Sequence, residues 1–131
     1  MPRKIVLVGH CGPDSSYLRM AVSRSVREAQ ILMADDQREL DELLAGGVDL
    51  LLLNRVLDYG FEQTEGVELI RQLRAAHPQL RVMLVSNYPE AQAQALAAGA
   101  LAGFGKREIG SPRVTELLRA AMAEGSTATS A

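Results

Sequence analysis

Five short apolar runs alternate with five stretches of helical period, and no other feature constrains this chain as tightly. The runs lie at residues 4–8, 30–34, 49–54, 81–85 and 101–105. Each is continuous and rich in Val, Ile or Leu, as expected of strands covered on both faces. After the first run, Leu18, Val22, Val26 and Ala29 share one helical face, while Arg19, Arg24 and Arg27 fall elsewhere. Leu40, Leu43 and Leu44 repeat that spacing before a Gly46-Gly47 stop. Val67, Ile70 and Leu73 mark a third helix ended by His77-Pro78. An alanine-rich fourth spans 89–98 and halts at Gly99. Ser111-Pro112 opens the last, with a capping side chain expected from Ser111 and a buried face of Val114, Leu117, Leu118 and Ala121. Five βα units in one chain imply an α/β domain built on a doubly wound five-stranded parallel sheet.

At 131 residues the chain is read as one domain over 1–123, followed by a small polar tail at 124–131. Composition excludes several function classes. A net charge of -2 supplies no field for a nucleic-acid backbone, and 4% aromatic content with no tryptophan offers no base-stacking surface. No run is long enough to span a membrane. The single cysteine cannot form an internal disulfide, which fits a reducing cytoplasm. No nucleic-acid or membrane partner is therefore expected, and the expected location is cytoplasmic.

Ligands on a parallel sheet bind beyond the carboxyl ends of its strands. That rule selects Gly9-His10-Cys11, Asp35, Asn54, Ser86 and Lys106 for inspection. Asp35-Asp36 is read as the cap of the second helix. The cysteine loop, Cys11-Gly12-Pro13-Asp14-Ser15-Ser16, would place a thiol near a helix opening at Ser15-Ser16, where a thiolate is stabilised and phosphate can be cradled. It resembles the phosphocysteine loop of sugar-phosphotransferase B-subunits but has fewer glycines. A low-molecular-weight phosphatase loop needs arginine at position 17, which is Tyr. Gly105-Lys106 fails as a phosphate loop because Ala100 and Arg107 stand at the required flanking positions. His10 and Cys11, with His77 far along the chain, do not make a zinc pattern.

The stretches "DLLLLN" and "GVELIRQLRAAHPQLRVMLVSNYPEAQAQALAAGALAGFGK" carry a more specific signal. A hydroxyl residue ends the fourth run, an Ala-Gly-Ala turn follows, and a lysine ends the fifth. On these residues the chain resembles a response-regulator receiver domain (CheY-like) over about 3–123, in degenerate form. The resemblance implies a flavodoxin-like (βα)5 fold with strand order 2-1-3-4-5. It also implies a site in which a strand-three aspartate takes a phosphoryl group, two acidic residues hold Mg²⁺, and a hydroxyl and a lysine contact the phosphoryl oxygens.

Carried onto this sequence, Ser86 matches the hydroxyl and Lys106 the lysine. The acidic pair falls on Gly9 and His10, and the acceptor on Asn54. An amide cannot form an acyl phosphate, glycine offers no ligand, and imidazole prefers softer metals. Mg²⁺ binding is therefore not expected. The aromatic that usually switches on strand five aligns with Gly103, with Phe104 one place away and on the opposite face. Spacing to Gly66 would fit Asp58 better than Asn54 as acceptor, but that would bury Arg55 in a strand. Asn54 is accordingly read as the strand end, followed by a longer loop at 55–65.

The expectation is a non-enzymatic, stand-alone pseudo-receiver in a two-component or phosphorelay pathway. Its partner would be a histidine kinase or downstream effector. Binding would use the surface of helix four, strand five and helix five, at 89–98 and 107–119, with homodimerisation left open. DNA-binding output is not expected, since no effector domain follows residue 123. Two alternatives stay open. Cys11 could act as a phosphoryl-accepting or redox-responsive switch, or Asp58 could serve as a displaced acceptor with Asp14 and His10 as ligands. Lys106 is expected to pair with Asp58 or Asp14, or to hydrogen-bond Asn54.

Overall fold

The computed structural model describes residues 3–58 and 60–130, with side chains described as far as residue 123. The expected tail at 124–131 lies beyond the described side chains. The elements run β1 (Arg3–Val8), α1 (Gly12–Ser25), β2 (Ala29–Ala34), α2 (Gln37–Gly46), β3 (Leu50–Asn54), α3 (Gly66–Ala76), β4 (Val82–Val85), α4 (Pro89–Ala97), β5 (Leu101–Phe104) and α5 (Pro112–Ser130). A single 3-10 turn, Lys106–Glu108, joins β5 to α5. All paired strands are parallel, in the order β2-β1-β3-β4-β5.

Every expected strand is present, with ends displaced by one residue at most. The central strands are apolar throughout because both faces are covered. Val6, Val8, Leu51, Leu53, Val82 and Leu84 pack against Leu40 of α2, Leu69, Ile70 and Leu73 of α3, and Ala91 and Ala95 of α4. The intervening residues Ile5, Leu7, Leu50, Leu52, Met83 and Val85 point the other way. They meet Leu18 and Val22 of α1 and Val114, Leu118 and Ala121 of α5. Alternation along each strand thus feeds two apolar layers, one per sheet face.

Helix boundaries depart from expectation in three places. α1 begins at Gly12, three residues before Ser15, because Cys11 takes the cap position and Pro13 pre-sets the first turn. Ser15 and Ser16 instead donate back to the carbonyls of His10 and Gly12. Ala29 leaves the face of the first helix and starts β2. Ser111 does not cap α5 with its side chain, since its buried hydroxyl has no partner among the described residues. Asp36 does cap α2, accepting from Glu39 N at 2.8 Å, while Glu39 accepts from Asp35 N at 2.9 Å.

The long loop at 55–65 is a packed element. Val56 and Glu65 form an antiparallel bridge, and Leu57 N donates to Thr64 O at 2.8 Å. Its Leu57 and Phe61 side chains are buried in the core layer that holds α2, α3 and α4. Gly60 O accepts from Gln37 N at 2.7 Å, which ties the loop to the start of α2. Phe61→Ala is expected to destabilise the protein by about 3 kcal/mol or more. Exposed Glu62→Ala should stay within about 0.5 kcal/mol. Urea unfolding of the two variants checks the contrast.

Candidate functional site: the carboxyl rim of the sheet

The strand order reverses between β1 and β3, so the loops leaving these strands diverge to opposite faces and open a crevice. Asn54 ends β3, and Gly9, His10, Ser86 and Lys106 follow the ends of β1, β4 and β5 on this rim. Gly9 has φ +72°, and a Cβ there would lie 2.4 Å from the Leu57 Cδ2 methyl. An acidic side chain at this position would face both backbone strain and a filled space.

His10 is 93% buried, being 7% exposed. Its Nε2 lies 2.8 Å from Leu52 O, and a carbonyl only accepts, so Nε2 carries the proton. Nδ1 is left as a buried acceptor without a partner among the described residues. Burial holds the imidazole below its ordinary value of 6.5, because charging it in a dry site is costly. The bond to Leu52 O and the Asp14 carboxylate oppose that effect, and the Lys106 charge adds to it.

Lys106 pairs with Asp14, Nζ to Oδ2 at 2.9 Å. The Lys106 hydrogen bond is the main reason the Asp14 carboxyl lies below its usual range, with a smaller contribution from the Cys11 thiol. Asn54 sits at the end of β3 and turns its amide inward. Nδ2 donates to Gly9 O at 3.2 Å and to Val56 O at 3.0 Å, bridging the β1 and β3 loops. Ser86 is buried, and its Oγ accepts from Tyr88 N at 3.2 Å.

The other residues singled out earlier fall outside this cluster or at its edge. Asp58 is exposed and bonded within its own turn, Oδ1 accepting from Gly60 N at 3.0 Å. Cys11 is exposed at the start of α1. Among the described residues no group of three His, Cys, Asp or Glu side chains is placed to hold a metal. Hard cations such as Mg²⁺ take oxygen donors. Asp14, the carboxylate of this cluster, is already held by Lys106.

Two features of the rim were not anticipated. The Arg55 guanidinium lies 4.7 Å from the centre of the Tyr88 ring, joining the β3–α3 loop to the start of α4 beside Asn54. Gln92, on α4, reaches back to the ends of β4 and β5. An arginine directly after a strand end is a weak hint of the first, and Gly103 is a weak hint of the second.

Neither a family model nor a curated protein matches the chain. Solved structures match it in fold. The signal receiver domain of an HD domain-containing protein from Pseudomonas fluorescens Pf-5 superposes with a TM-score of 0.80 at 20% identity, covering 98% of this chain and 93% of that one. The signal receiver domain of a DNA-binding response regulator protein (merR) from Colwellia psychrerythraea 34H gives 0.71 at 14% identity, covering 90% and 96%. NtrX from Brucella abortus gives 0.81 at 18% identity, covering 99% of this chain but only 29% of that one. The chain therefore has the fold of response-regulator receiver domains.

The burial of His10 has a measurable consequence. The unfolded imidazole gains a proton as pH falls through 6.5, whereas the folded one resists it. Folding stability therefore declines below that pH. Between about pH 7.5 and about pH 5.5 the wild-type Tm should fall further than that of His10→Gln, which keeps a donor for Leu52 O but does not titrate. Thermal melts at the two values check the difference. The Asp14 contribution acts lower, being lost as pH falls below the usual carboxylate range.

Proposed function

We propose that this protein is a signalling module with the receiver fold whose phosphoryl-transfer site is dismantled, and that it acts by binding a protein partner. The observation that carries the proposal is Asn54. An amide stands at the end of β3, and its Nδ2 donates to the neighbouring carbonyls Gly9 O and Val56 O. A carboxylate in the same place would turn its oxygens toward those carbonyls and be repelled. The local structure therefore favours the neutral donor over an anionic nucleophile. Supporting this, Lys106 is neutralised by Asp14, and the position after Gly9 carries a buried neutral imidazole. The donor set does not suit Mg²⁺, and no metal-dependent step is assigned to it.

Partner binding is assigned to the surface of α4, β5 and α5 at 89–98 and 107–119. Leu96 is exposed there, as is Arg107, whose backbone is held by Asn87. A signalling kinase or a downstream effector is the expected partner class.

Intact-mass measurement after incubation with acetyl phosphate and Mg²⁺ tests the phosphorylation half of this reading. No adduct is expected on the wild-type protein. Asn54→Asp alone should also remain unmodified, because it restores a nucleophile without metal ligands. A phosphoryl group mapped to Asp58 would establish a displaced acceptor. One mapped to Cys11 would establish thiol chemistry at the exposed start of α1. Either result overturns the proposal.

A further inference from the structure

Gln92 faces the sheet from α4 and is half-buried. Its side-chain NH₂ lies 2.9 Å from Leu84 O, 3.1 Å from Ser86 O and 3.2 Å from Phe104 O. Three carbonyl oxygens around one amide end leave no choice of orientation, since only the NH₂ can donate to them. Two N–H groups serve three acceptors, so one is shared. The acceptors belong to two strands: Leu84 and Ser86 lie on and just after β4, and Phe104 ends β5. One side chain of α4 thus grips both.

Two irregularities make room for it. The β4–β5 register shifts so that Ala102 and Gly103 lie against Leu84 alone, with Met83 opposite Leu101 and Val85 opposite Phe104. Position 103 also lacks a side chain. A Cβ there would come within 2.2 Å of Leu84 O and 2.8 Å of Gln92 Oε1. The first contact is with backbone, so no rotamer change relieves it. A second amide works alongside, Asn87 Oδ1 accepting from Arg107 N at 3.0 Å across the loops after β4 and β5.

From this geometry we infer that Gln92 is a latch, holding α4 at one fixed position on β4 and β5 without reference to the state of Asn54. Phe104 O keeps a second donor, Ser86 N at 2.9 Å, if the latch opens. The grip on Leu84 O and Ser86 O then loses the side-chain contribution, and with it goes a tether between helix and sheet. The surface assigned above to partner binding is therefore presented ready-made. That consequence rests on the partner-binding reading, whereas the latch itself does not.

NMR on the intact wild-type chain reads the latch directly. The two Gln92 side-chain NH₂ protons should be well separated in shift and slow to exchange with water. A solvent-averaged Gln92 amide with rapidly exchanging protons would overturn the inference whatever any variant does. Gln92→Leu keeps similar bulk and removes the donor. Its hydrogen exchange should quicken about ten-fold in α4 and β5 while β1 and β2 keep their protection. Unchanged exchange in α4 of a folded Gln92→Leu protein would also overturn the latch. A variant that fails to fold leaves the wild-type amide to decide. Phosphorylation is read separately by mass, so the latch and the functional reading fail independently.

Discussion

Double-sided burial of β3 is the constraint on which the rest of this molecule depends. Leu50, Leu51, Leu52 and Leu53 are each fully buried, two facing each helical layer. A strand in that position needs neighbours on both edges and helices on both faces. The chain can meet that need only by crossing over the sheet after every strand. The carboxyl ends of the strands are then gathered on one rim, and polar groups near them need partners at the margin of a dry core, a need that His10 Nδ1 leaves unmet among the described residues.

Side-chain amides carry much of that work on this rim. Its charged pair, Lys106 with Asp14, is internally neutralised. Three further connections are neutral amides: Asn54 spans the β1 and β3 loops, Gln92 spans β4 and β5, and Asn87 spans the loops that follow them. Amides suit this work because they carry no charge into the core: the NH₂ groups of Asn54 and Gln92 donate to carbonyl oxygens at the strand ends, and Asn87 Oδ1 accepts from a backbone N–H. The long 55–65 loop adds apolar plugging, with Leu57 and Phe61 filling the space beside Gly9 that a larger residue would need. A site built for phosphoryl chemistry needs uncompensated charge and open coordination. On this rim Leu57 and Phe61 fill the space beside Gly9, and Lys106 is paired with Asp14.

Much of this was legible beforehand for reasons that are local. Short runs rich in Val, Ile and Leu read as strands of a covered sheet, so five of them separated by amphipathic stretches specified the layers and the rim, although the edge strands β2 and β5 are only partly buried. Asp36 announced its helix because capping depends on a side chain and a backbone three residues away. The errors were also local in kind. Proline at the first turn outranked two serines as the start of α1, and the Ser111 hydroxyl makes no capping bond among the described residues. The partner of Lys106 stayed ambiguous among Asp14, Asp58 and Asn54, of which Asp14 is the one it pairs with. Both acids are near the rim in sequence terms, and only the packing of the 55–65 loop turns Asp58 into its own turn.

What the sequence alone determined, then, was periodic or compositional. It specified the parallel α/β layers, the positions that share the rim, and the absence of a carboxylate at Gly9, His10 and Asn54. Tertiary structure decided which of those positions bond to each other. The tautomer of His10, the pairing of Lys106 with Asp14 and the stacking of Arg55 on Tyr88 each join residues far apart in the chain, and the grip of Gln92 joins two strands to one helix. The physical reason is range. Helical and strand periods are written in neighbouring residues, whereas a hydrogen bond or ion pair depends on ångström-scale placement that only the finished packing of all five strands supplies.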